Sequence, residues 1–325
     1  MSKIFDLFII GGGINGAGIA RDAAGRGLSV CLADKGEIGG ATSSWSTKLI
    51  HGGLRYLENY EFKLVRESLI EREIVYKIAK PISRPIPFII PYSDKIRPAW
   101  LIKIGLFLYD NLGGKSNIQK SKTLDLTKKF SNILKKNYKT GFQYFDIQID
   151  DKKLTKLNIK DAKRNKAKIF EYNKVKKAEI INDKWILHLQ NGKKIESKVL
   201  INASGPWINE TLKKNIKLKS KKKIRLVKGS HIITKKLYKE DVAFTFQNKD
   251  KRIIFVIPYK KKFSLIGTTE VEVKSPENKG ISKAEIKYLI NSVNNYLLNQ
   301  ISTKDIVSTY SCLLYTSPSP RDKRQ

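Results

Sequence analysis

The sequence predicts an α/β protein whose N-terminal part folds as a Rossmann-like βαβ unit. Residues 4–10 form an apolar run that only Asp6 interrupts, which is typical of a buried parallel strand. The glycine-rich segment GGGING follows at 11–16, and the residues after it are small enough for a helix to pack closely on a sheet. A second apolar strand then ends at Asp34, close to the roughly 20 residues beyond the glycines that a dinucleotide-binding unit requires.

The rest of the chain is predicted to be helical in its middle part and rich in strands later on. Apolar spacing predicts helices at 57–80, 99–109, 151–165 and 283–299. Prolines recur through 81–98, which predicts extended chain and turns there. Strands are predicted at 167–171, 178–181, 185–189, 198–203, 231–234, 242–247, 252–258 and 263–267, with a hairpin turn at Asn182-Asp183.

The composition fits about two folded domains in a reducing compartment. The chain has 325 residues, of which 41% are hydrophobic, and a domain takes roughly 150 residues. Two cysteines exclude a disulfide framework and a zinc site built on paired cysteines, so no metal is expected. No apolar run approaches the roughly 18 to 20 residues that span a bilayer.

The formal net charge of +34, from 64 Lys and Arg against 30 Asp and Glu, needs an explanation. Such an excess suits nucleic acid, an anionic membrane surface or an anionic substrate. The basic residues are mostly lysines that accompany abundant isoleucine and asparagine, which AT-rich codons produce without any function. The stacking-aromatic motifs of the usual RNA modules do not occur. We therefore expect no nucleic-acid partner and interpret most of the charge as solvated surface.

The glycine-rich turn has the sequence context of a dinucleotide-binding motif. Gly11 permits the tight turn, Gly13 lets the backbone approach a pyrophosphate, and Gly16 allows close packing of the helix. The helix N-terminus offers amide groups and a positive dipole to the phosphates. Asp34 is expected to accept hydrogen bonds from ribose hydroxyls. The alternative is an ordinary βαβ turn, and the motif by itself does not separate NAD from FAD.

The hydroxyl-rich stretch ATSSWSTKLIHGGLRY at 41–56 favours FAD. Serine and threonine side chains bond phosphates, and the glycine pair that follows His51 would let a flat ring lie against bare backbone. A helix N-cap cluster is the alternative for the serines and threonines, and a structural role is the alternative for His51. The predicted cofactor contacts here are Thr42, Ser43, Ser44, Lys48, His51 and Gly52.

Several longer segments of the chain are distinctive together. They are GGGINGAGIARDAAGRGLSV at 11–30, ATSSWSTKLIHGGLRYLENYEF at 41–62, RPAWLIKIGLFLYDNLGG at 97–114, NASGPW at 202–207, KGSHI at 228–232, NKDKRIIFVIP at 248–258, IGTTEVE at 266–272 and DIVSTYS at 305–311. In these segments the chain resembles the FAD-dependent, quinone-linked (aerobic) glycerol-3-phosphate dehydrogenases. The resemblance extends from residue 4 to residue 311, well beyond the glycine motif.

The resemblance implies a Rossmann-like FAD-binding domain and an α+β substrate cap that contains an antiparallel sheet. We assign 1–75 and 150–212 to the FAD domain, and 76–149 and 213–311 to the cap. Residues 312–325 depart from the family, so we interpret them as a scar or frameshift and expect the FAD domain to be incomplete at its C-terminal end. Such a C-terminally truncated chain is expected to bind FAD weakly and to turn over poorly.

The resemblance also implies a reaction and a location. The implied reaction is oxidation of sn-glycerol 3-phosphate to dihydroxyacetone phosphate, by hydride transfer to FAD and onward transfer of electrons to membrane quinone. The implied location is cytoplasmic, at the inner face of the cell membrane. The 99–109 helix is a candidate membrane contact, and a core helix is the alternative. A homodimer is compatible with the sequence. By resemblance, Val175 provides a backbone contact beside the adenine, and Gly205 lies where the chain returns to the cofactor.

This chemistry needs a proton acceptor for the substrate hydroxyl and cations for its phosphate. His231 is the first candidate for substrate hydrogen bonding or proton removal, against a structural role. Arg55 is the candidate for binding the phosphate, and a surface ion pair is the alternative role for it. Arg252 is assigned to the cap's site. Thr268, which follows Gly267 at a strand end, would touch substrate or cap a turn.

Two other functions stay open at this level. An FAD-dependent amine or amino-acid oxidase shares the fold, and Arg55 would then hold a carboxylate. The chain could also be an inactive fragment of the dehydrogenase.

Overall fold

A computed structural model describes residues 3–94, 96–218, 224–277 and 280–316. The strands in this part of the chain are β1 (Ile4–Ile10), β2 (Val30–Ala33), β3 (Leu49–Ile50), β4 (Ser83–Pro91), β5 (Lys122–Asp125), β6 (Thr140–Ile149), β7 (Lys168–Phe170), β8 (Val175–Ile181), β9 (Lys184–Leu189), β10 (Lys194–Asn202), β11 (Arg225–Lys235), β12 (Ala243–Gln247), β13 (Ile253–Tyr259), β14 (Phe263–Gly267), β15 (Val271–Val273) and β16 (Ile306–Thr316). The α-helices are α1 (Ile14–Gly25), α2 (Phe62–Ile78), α3 (Ala99–Asn111), α4 (Leu126–Lys129), α5 (Asp151–Arg164), α6 (Ile208–Thr211) and α7 (Lys283–Asn294).

The first layer is a six-stranded sheet in the order β7-β2-β1-β10-β9-β8. Strands β7, β2, β1 and β10 are parallel, whereas β9 and β8 are antiparallel to their neighbours. Small residues of α1, including Ala17 and Ala20, pack against Ile159 and Ala162 of α5 on one face of this sheet. This arrangement confirms the predicted Rossmann-like unit.

The second layer is a larger mixed sheet in the order β15-β11-β14-β13-β12-β4-β6-β3. Strand β16 runs antiparallel along one edge of β11, while β14 and β15 cover its other edge in succession. Helix α7 packs on one face through Leu289 and Val293, and α2 and α3 pack on the opposite face through Leu69 and Leu106. The predicted cap with an antiparallel sheet is confirmed.

The proline-rich segment forms strand β4, where the sequence suggested only extended chain and turns. Pro85 and Pro87 lie in the strand between β6 and β12. The amide of Tyr92, just after the strand, donates to Thr140 of β6, so the even-numbered amides of β4 face β6. Pro85 and Pro87 are odd-numbered, so the amides they lack would face β12. Pairing on that side involves only Phe88 and Ile89, whereas pairing with β6 runs along the whole strand. The strand therefore tolerates its prolines.

The boundary between the layers differs from the one predicted after residue 75. Leu49–Ile50 pairs with β6 of the second sheet, and Val65 and Leu69 of α2 lie in its core. The first segment of the Rossmann layer thus ends before Leu49. At the other boundary, Ile216 still packs against the first sheet, so that layer extends slightly beyond residue 212.

Part of 312–325, the segment interpreted as a scar or frameshift and excluded from both domains, is ordered strand. Cys312 and Leu313 are buried, and β16 continues to Thr316, which pairs with Arg225. The excluded region therefore contributes to the second sheet, because its first residues complete the edge of β11. Residues 317–325 lie outside the described residues.

The sequence predicts both the turn between β8 and β9 and the end of α7. Asn182 and Asp183 have φ values of 50° and 58° between β8 and β9, as a type I′ hairpin turn requires. The last predicted helix ends earlier, at Asn294 rather than at 299. Among the described residues, no helix combines the length and hydropathy needed to cross a membrane.

Candidate cofactor-binding site

A cavity of about 250 Å³ opens at the carboxyl ends of β1, β2 and β10. Ligands of open α/β sheets bind at this edge. Both halves of the Rossmann layer contribute to it, and so does the hydroxyl-rich loop. The predicted cofactor residues that line it are Gly11, Gly13, Asp34, Thr42, Ser43, Val175 and Gly205.

Two glycines of the turn leave no room for a side chain. Gly11 has φ +107°, and a Cβ atom there would lie 2.4 Å from the carbonyl oxygen of Ala203. A Cβ atom on Gly16 would lie 1.9 Å from the carbonyl oxygen of Gly11. Gly16 does not line the cavity, but it holds the start of α1 against the turn, as the motif predicts. The glycines therefore bring the N-terminus of α1 to the cavity.

The carboxylate of Asp34 fixes the two loops that border the cavity. One oxygen accepts a hydrogen bond of 2.6 Å from the Gly12 amide, and the other accepts one of 2.7 Å from the Gly36 amide. A carboxylate oxygen has two lone pairs, so each can still accept a second bond. Asp34 can thus shape the site and receive ribose hydroxyls.

The hydroxyl-rich loop meets the helix N-terminus directly. Residues 42–44 form a short 3₁₀ turn, and Ser43 Oγ accepts a hydrogen bond of 2.8 Å from the Ile14 amide. This amide belongs to the first turn of α1, where phosphate groups bind in dinucleotide-binding proteins. Because a hydroxyl can also donate, Ser43 is suited to bond a phosphate oxygen at this position.

Asn215 is a site residue that the sequence did not reveal. Its buried side-chain amide donates to the carbonyl oxygens of Val175 (2.8 Å) and Lys176 (3.1 Å), and it lines the cavity. This contact fixes the first residue of β8, where an adenine-side contact was predicted. Asn215 lies in an irregular π-helical turn, and no motif marks it.

The structure places Ser44, Lys48, His51 and Gly52 outside this cavity. Lys48 Nζ lies 2.7 Å from Asp151 Oδ1 and donates to the Ser44 carbonyl oxygen. Ser44 and Lys48 instead line a second cavity of about 270 Å³. His51 is exposed.

Packing gives Gly52 a second reason to be glycine, beside the predicted flavin contact. A Cβ atom there would lie 2.3 Å from Leu69 and 2.8 Å from the ring of Tyr109. The bare side of the residue therefore faces the protein core, and packing alone requires the glycine.

His231 is buried on β11, with 2% of its surface exposed. Its Nε2 lies 3.1 Å from Thr47 Oγ1, and its ring stacks on Tyr310 at 4.7 Å between centroids. No partner contacts Nδ1 among the described residues. Burial, with a smaller contribution from the charge of Lys48, lowers the pKa of His231 to about 3. The imidazole is therefore neutral at physiological pH.

His231 and Thr268 occupy the same face of the second sheet. The His231 ring lies over Gly267, where a Cβ atom would come within 2.2 Å of it. Thr268 Oγ1 lies 2.4 Å from the position of a Cβ atom on Gly229. Residues two apart on a strand share a face, so the side chains of His231 and Thr268 both lie on the face that Gly229 leaves open.

Of the two predicted arginines, Arg252 lies on the opposite side of the sheet from His231 and Thr268. Arg252 forms an ion pair of 2.7 Å with Asp250 and lies over the ring of Tyr288 in α7, on the other side of the sheet. These contacts hold Arg252 on the α7 side of the sheet, away from His231 and Thr268, and its assignment to the cap's site stays a prediction. Arg55 is exposed on a 3₁₀ turn and forms no ion pair with the described residues. No group of three or more His, Cys, Asp or Glu side chains in the described ranges is arranged to hold a metal.

The cavity, the glycine turn and Asp34 define a dinucleotide-binding protein of the Rossmann type. The sequence model of the family described as "FAD dependent oxidoreductase" matches residues 6–324. The chain therefore belongs to the FAD-dependent oxidoreductases, and FAD is its cofactor.

Named relatives lie within this family. The aerobic glycerol-3-phosphate dehydrogenase of Escherichia coli (strain K12) is 45% identical over 312 residues, which are 94% of this chain and 62% of that protein. The D-erythritol 1-phosphate dehydrogenase of Brucella abortus (strain 2308) is 43% identical over 313 residues, which are 94% of this chain and 62% of that protein. The chain thus spans about three fifths of the length of these relatives.

A solved structure agrees with the sequence comparisons. The glycerol-3-phosphate dehydrogenase from Bacillus halodurans complexed with FAD superposes with a TM-score of 0.75 at 26% identity. The match covers 97% of this chain and 57% of that chain. The two-layer fold is therefore one that holds FAD in a related protein.

Proposed function

We propose that this protein oxidises a phosphorylated polyol, with sn-glycerol 3-phosphate as substrate and dihydroxyacetone phosphate as product. The observation that carries the proposal is the 45% identity to a protein named for glycerol 3-phosphate, in a chain whose cavity lies at the glycine turn and Asp34. The Brucella relative, at 43% identity, is named for D-erythritol 1-phosphate. Identity alone does not separate these substrates, so D-erythritol 1-phosphate is the second candidate.

Each part of the cavity suits one part of FAD. The N-terminus of α1, with Gly11 and Ser43, would hold the pyrophosphate. Asp34 would bond the ribose, and the Val175 segment fixed by Asn215 would border the adenine. When bound, FAD supplies the hydride acceptor for the C2 hydrogen of the substrate.

His231 is better suited to bond the substrate than to remove its proton. A general base works best when its pKa lies near the operating pH, and the pKa of His231 is lowered to about 3. Its neutral ring can donate or accept one hydrogen bond at Nδ1. We therefore give His231 and Thr268 the role of orienting the substrate, and Arg55 that of binding its phosphate.

The substrate can be tested by anaerobic reduction of the bound flavin. The purified protein, loaded with FAD, is mixed with glycerol 3-phosphate, D-erythritol 1-phosphate or glycine, and the loss of absorbance near 450 nm is followed. We expect glycerol 3-phosphate to reduce the flavin fastest. Faster reduction by the erythritol compound would move the assignment to that substrate, and reduction by glycine alone would favour an amino-acid oxidase. Quinone is the electron acceptor that the resemblance implies, and reoxidation of the reduced flavin by a soluble ubiquinone analogue tests it.

We also propose that α3 touches the membrane surface from which quinone is reached. Its exposed side includes Trp100, Leu101, Ile104 and Phe107, with 62%, 40%, 50% and 67% of their surface exposed. Apolar side chains on the outer face of a helix suit insertion into the headgroup region. Leu106, by contrast, is buried in the core, so a change there would test stability and not membrane contact.

Co-sedimentation with vesicles that contain anionic lipid tests this surface. We expect Trp100→Ser with Phe107→Ser to reduce the bound fraction severalfold. The matched control is Leu157→Ser with Ile180→Ser, which removes two exposed apolar side chains from the Rossmann layer. Equal binding of both double variants would remove α3 from the proposal.

A further inference from the structure

The segment 97–114 carries part of the family resemblance, yet none of its residues lines the cofactor cavity. It forms α3, and one of its side chains, Tyr109, points into the core with 2% of its surface exposed. The Tyr109 ring meets the ring of Tyr144 edge-on, at 5.9 Å between centroids. A hydroxyl buried this deeply needs hydrogen-bond partners, and these partners indicate its role.

Tyr109 links the glycine pair after His51 to a buried ion pair. Its hydroxyl donates to Asp146 Oδ1 at 2.7 Å and accepts a hydrogen bond of 2.6 Å from the Gly52 amide. The same carboxylate oxygen receives Arg72 NH1 at 3.0 Å. Asp146 and Arg72 have only about 5% and 6% of their side-chain surface exposed.

The chemistry of the partners determines the direction of each of these hydrogen bonds. Asp146, as the partner of a buried arginine, is an acceptor, so the Tyr109 proton is committed to it. The Tyr109 oxygen then has only lone pairs to offer, and the Gly52 amide is the donor that uses one of them. A phenylalanine at position 109 lacks the hydroxyl, so it would leave the Gly52 amide buried without an acceptor.

This bond also sets the orientation of the peptide before Gly52. In a trans peptide the N–H and C=O groups point in opposite directions. With the Gly52 amide turned towards Tyr109 and the core, the His51 carbonyl is turned away from the core. The missing Cβ of Gly52 allows this approach, since a side chain there would collide with Leu69 and with the Tyr109 ring.

We propose that Tyr109 and Asp146 are positioning residues, which hold the turn His51-Gly52-Gly53 in the orientation that receives the flavin ring. The inference rests on the proposed function in one respect, because it takes FAD to bind with its ring at this turn, the contact that the sequence predicts for His51 and Gly52. The orientation of the turn itself does not depend on cofactor or substrate.

The test compares Tyr109→Phe with Tyr144→Phe. Tyr144 is an equally buried neighbour whose ring packs against Tyr109, but its hydroxyl bonds Thr245 and forms no hydrogen bond with the turn. Each variant therefore loses one buried hydroxyl, and both are expected to melt at slightly lower temperature by similar amounts. Two further measurements separate them. The first is hydrogen exchange of the Gly52 amide by NMR, without FAD. The second is the visible circular dichroism of bound FAD, which reports the surroundings of its ring.

We expect the Gly52 amide to exchange about tenfold faster in Tyr109→Phe, because it loses the acceptor of a buried hydrogen bond. In Tyr144→Phe its exchange should match the wild type. We also expect the flavin dichroism to change in Tyr109→Phe alone. Equal Gly52 exchange in the two variants would overturn the positioning role, and so would unchanged dichroism with FAD bound. If the wild type bound no FAD, the proposed function would fail, and the exchange data would still decide whether Tyr109 orients the turn.

Discussion

Replacing Glu285 with glutamine should strongly destabilise the second layer. The Glu285 carboxylate lies under β11, where Lys228 Nζ (2.9 Å) and the Ser282 amide (2.8 Å) donate to one oxygen. The hydroxyls of Ser230 (2.7 Å) and Thr269 (2.8 Å) donate to the other. One side chain thus connects α7, β11 and the corner between β14 and β15. Glutamine has the same shape but lacks the charge and turns one acceptor into a donor.

The size of the effect follows from the charge and its burial. Desolvation alone would raise the pKa of Glu285, but the bonds from Ser282, Ser230, Lys228 and Thr269 outweigh it and lower the pKa to about 2. A fall from the ordinary value of 4.5 to about 2 corresponds to about 3 kcal/mol in favour of the ionised, folded state. Removing one partner of a buried ion pair costs about 3–5 kcal/mol. We therefore expect Glu285→Gln to lower the free energy of unfolding by about 3–4 kcal/mol.

Urea unfolding of a double-mutant cycle measures this interaction. Lys228→Met keeps the aliphatic part of the side chain but leaves the Glu285 carboxylate without its cation, so it should also lower the free energy of unfolding. The double variant should lose at least about 2 kcal/mol less than the sum of the two single changes. Glu67→Gln, which removes one partner of an exposed ion pair with Lys63, is the control and should cost less than about 0.5 kcal/mol. Additive losses at Lys228 and Glu285 would refute the reasoning.

The pH dependence provides a second readout of the same carboxylate. Because the folded pKa of Glu285 lies below its unfolded value, the stabilisation is fully present above about pH 4.5 and is lost as the pH falls towards 2. Glu285→Gln should remove this part of the acid-induced loss of stability. An unchanged acid slope in the variant would mean that another carboxylate causes it.

Three further predictions concern single groups. Gly11→Ala should reduce FAD bound per chain at least tenfold by absorbance, since its Cβ would collide with the Ala203 carbonyl. Gly18→Ala, in helix α1 with open space around it, should not, and equal losses would contradict the prediction. Between about pH 3 and 6.5 His231 is protonated in the unfolded chain but not in the folded one, so the free energy of unfolding should rise by about 1.4 kcal/mol per pH unit. His231→Phe should remove this slope, and a wild-type slope in the variant would contradict the prediction. Burial raises the pKa of the Cys31 thiol to about 12, so iodoacetamide should label it only after unfolding, and rapid labelling of the folded protein would show that it is accessible.

The sequence was most informative where the chemistry is local. The βαβ unit, its glycines and Asp34 lie within 31 consecutive residues, from Ile4 to Asp34, and each constraint acts on a neighbour along the chain. The hairpin at Asn182-Asp183 was predicted for the same reason, since two residues with positive φ define the turn. The cofactor class also came from a contiguous stretch, and the family match agrees with it.

The residues that sequence reasoning missed act across long separations. Asn215 bonds Val175, 40 residues earlier, and Tyr109 bonds Gly52, 57 residues earlier. A polar side chain in an irregular turn or an aromatic residue in an apolar helix looks ordinary by itself. Its role depends on which buried backbone group it meets, and that is determined by tertiary packing.

Arg252 and His231 show how tertiary context changes the role of a chemically suitable residue. Both lie in segments that resemble the family, and both have the right side chain for the predicted task. Arg252 lies beside Asp250 and Tyr288, so its charge is already engaged on the α7 side of the sheet. The His231 ring lies between Gly267 and Tyr310, and burial there lowers its pKa to about 3. In the proposed reaction, His231 is therefore not the proton acceptor. Its Nδ1, which is buried without a hydrogen-bond partner among the described residues, is the atom that we propose to orient the substrate hydroxyl.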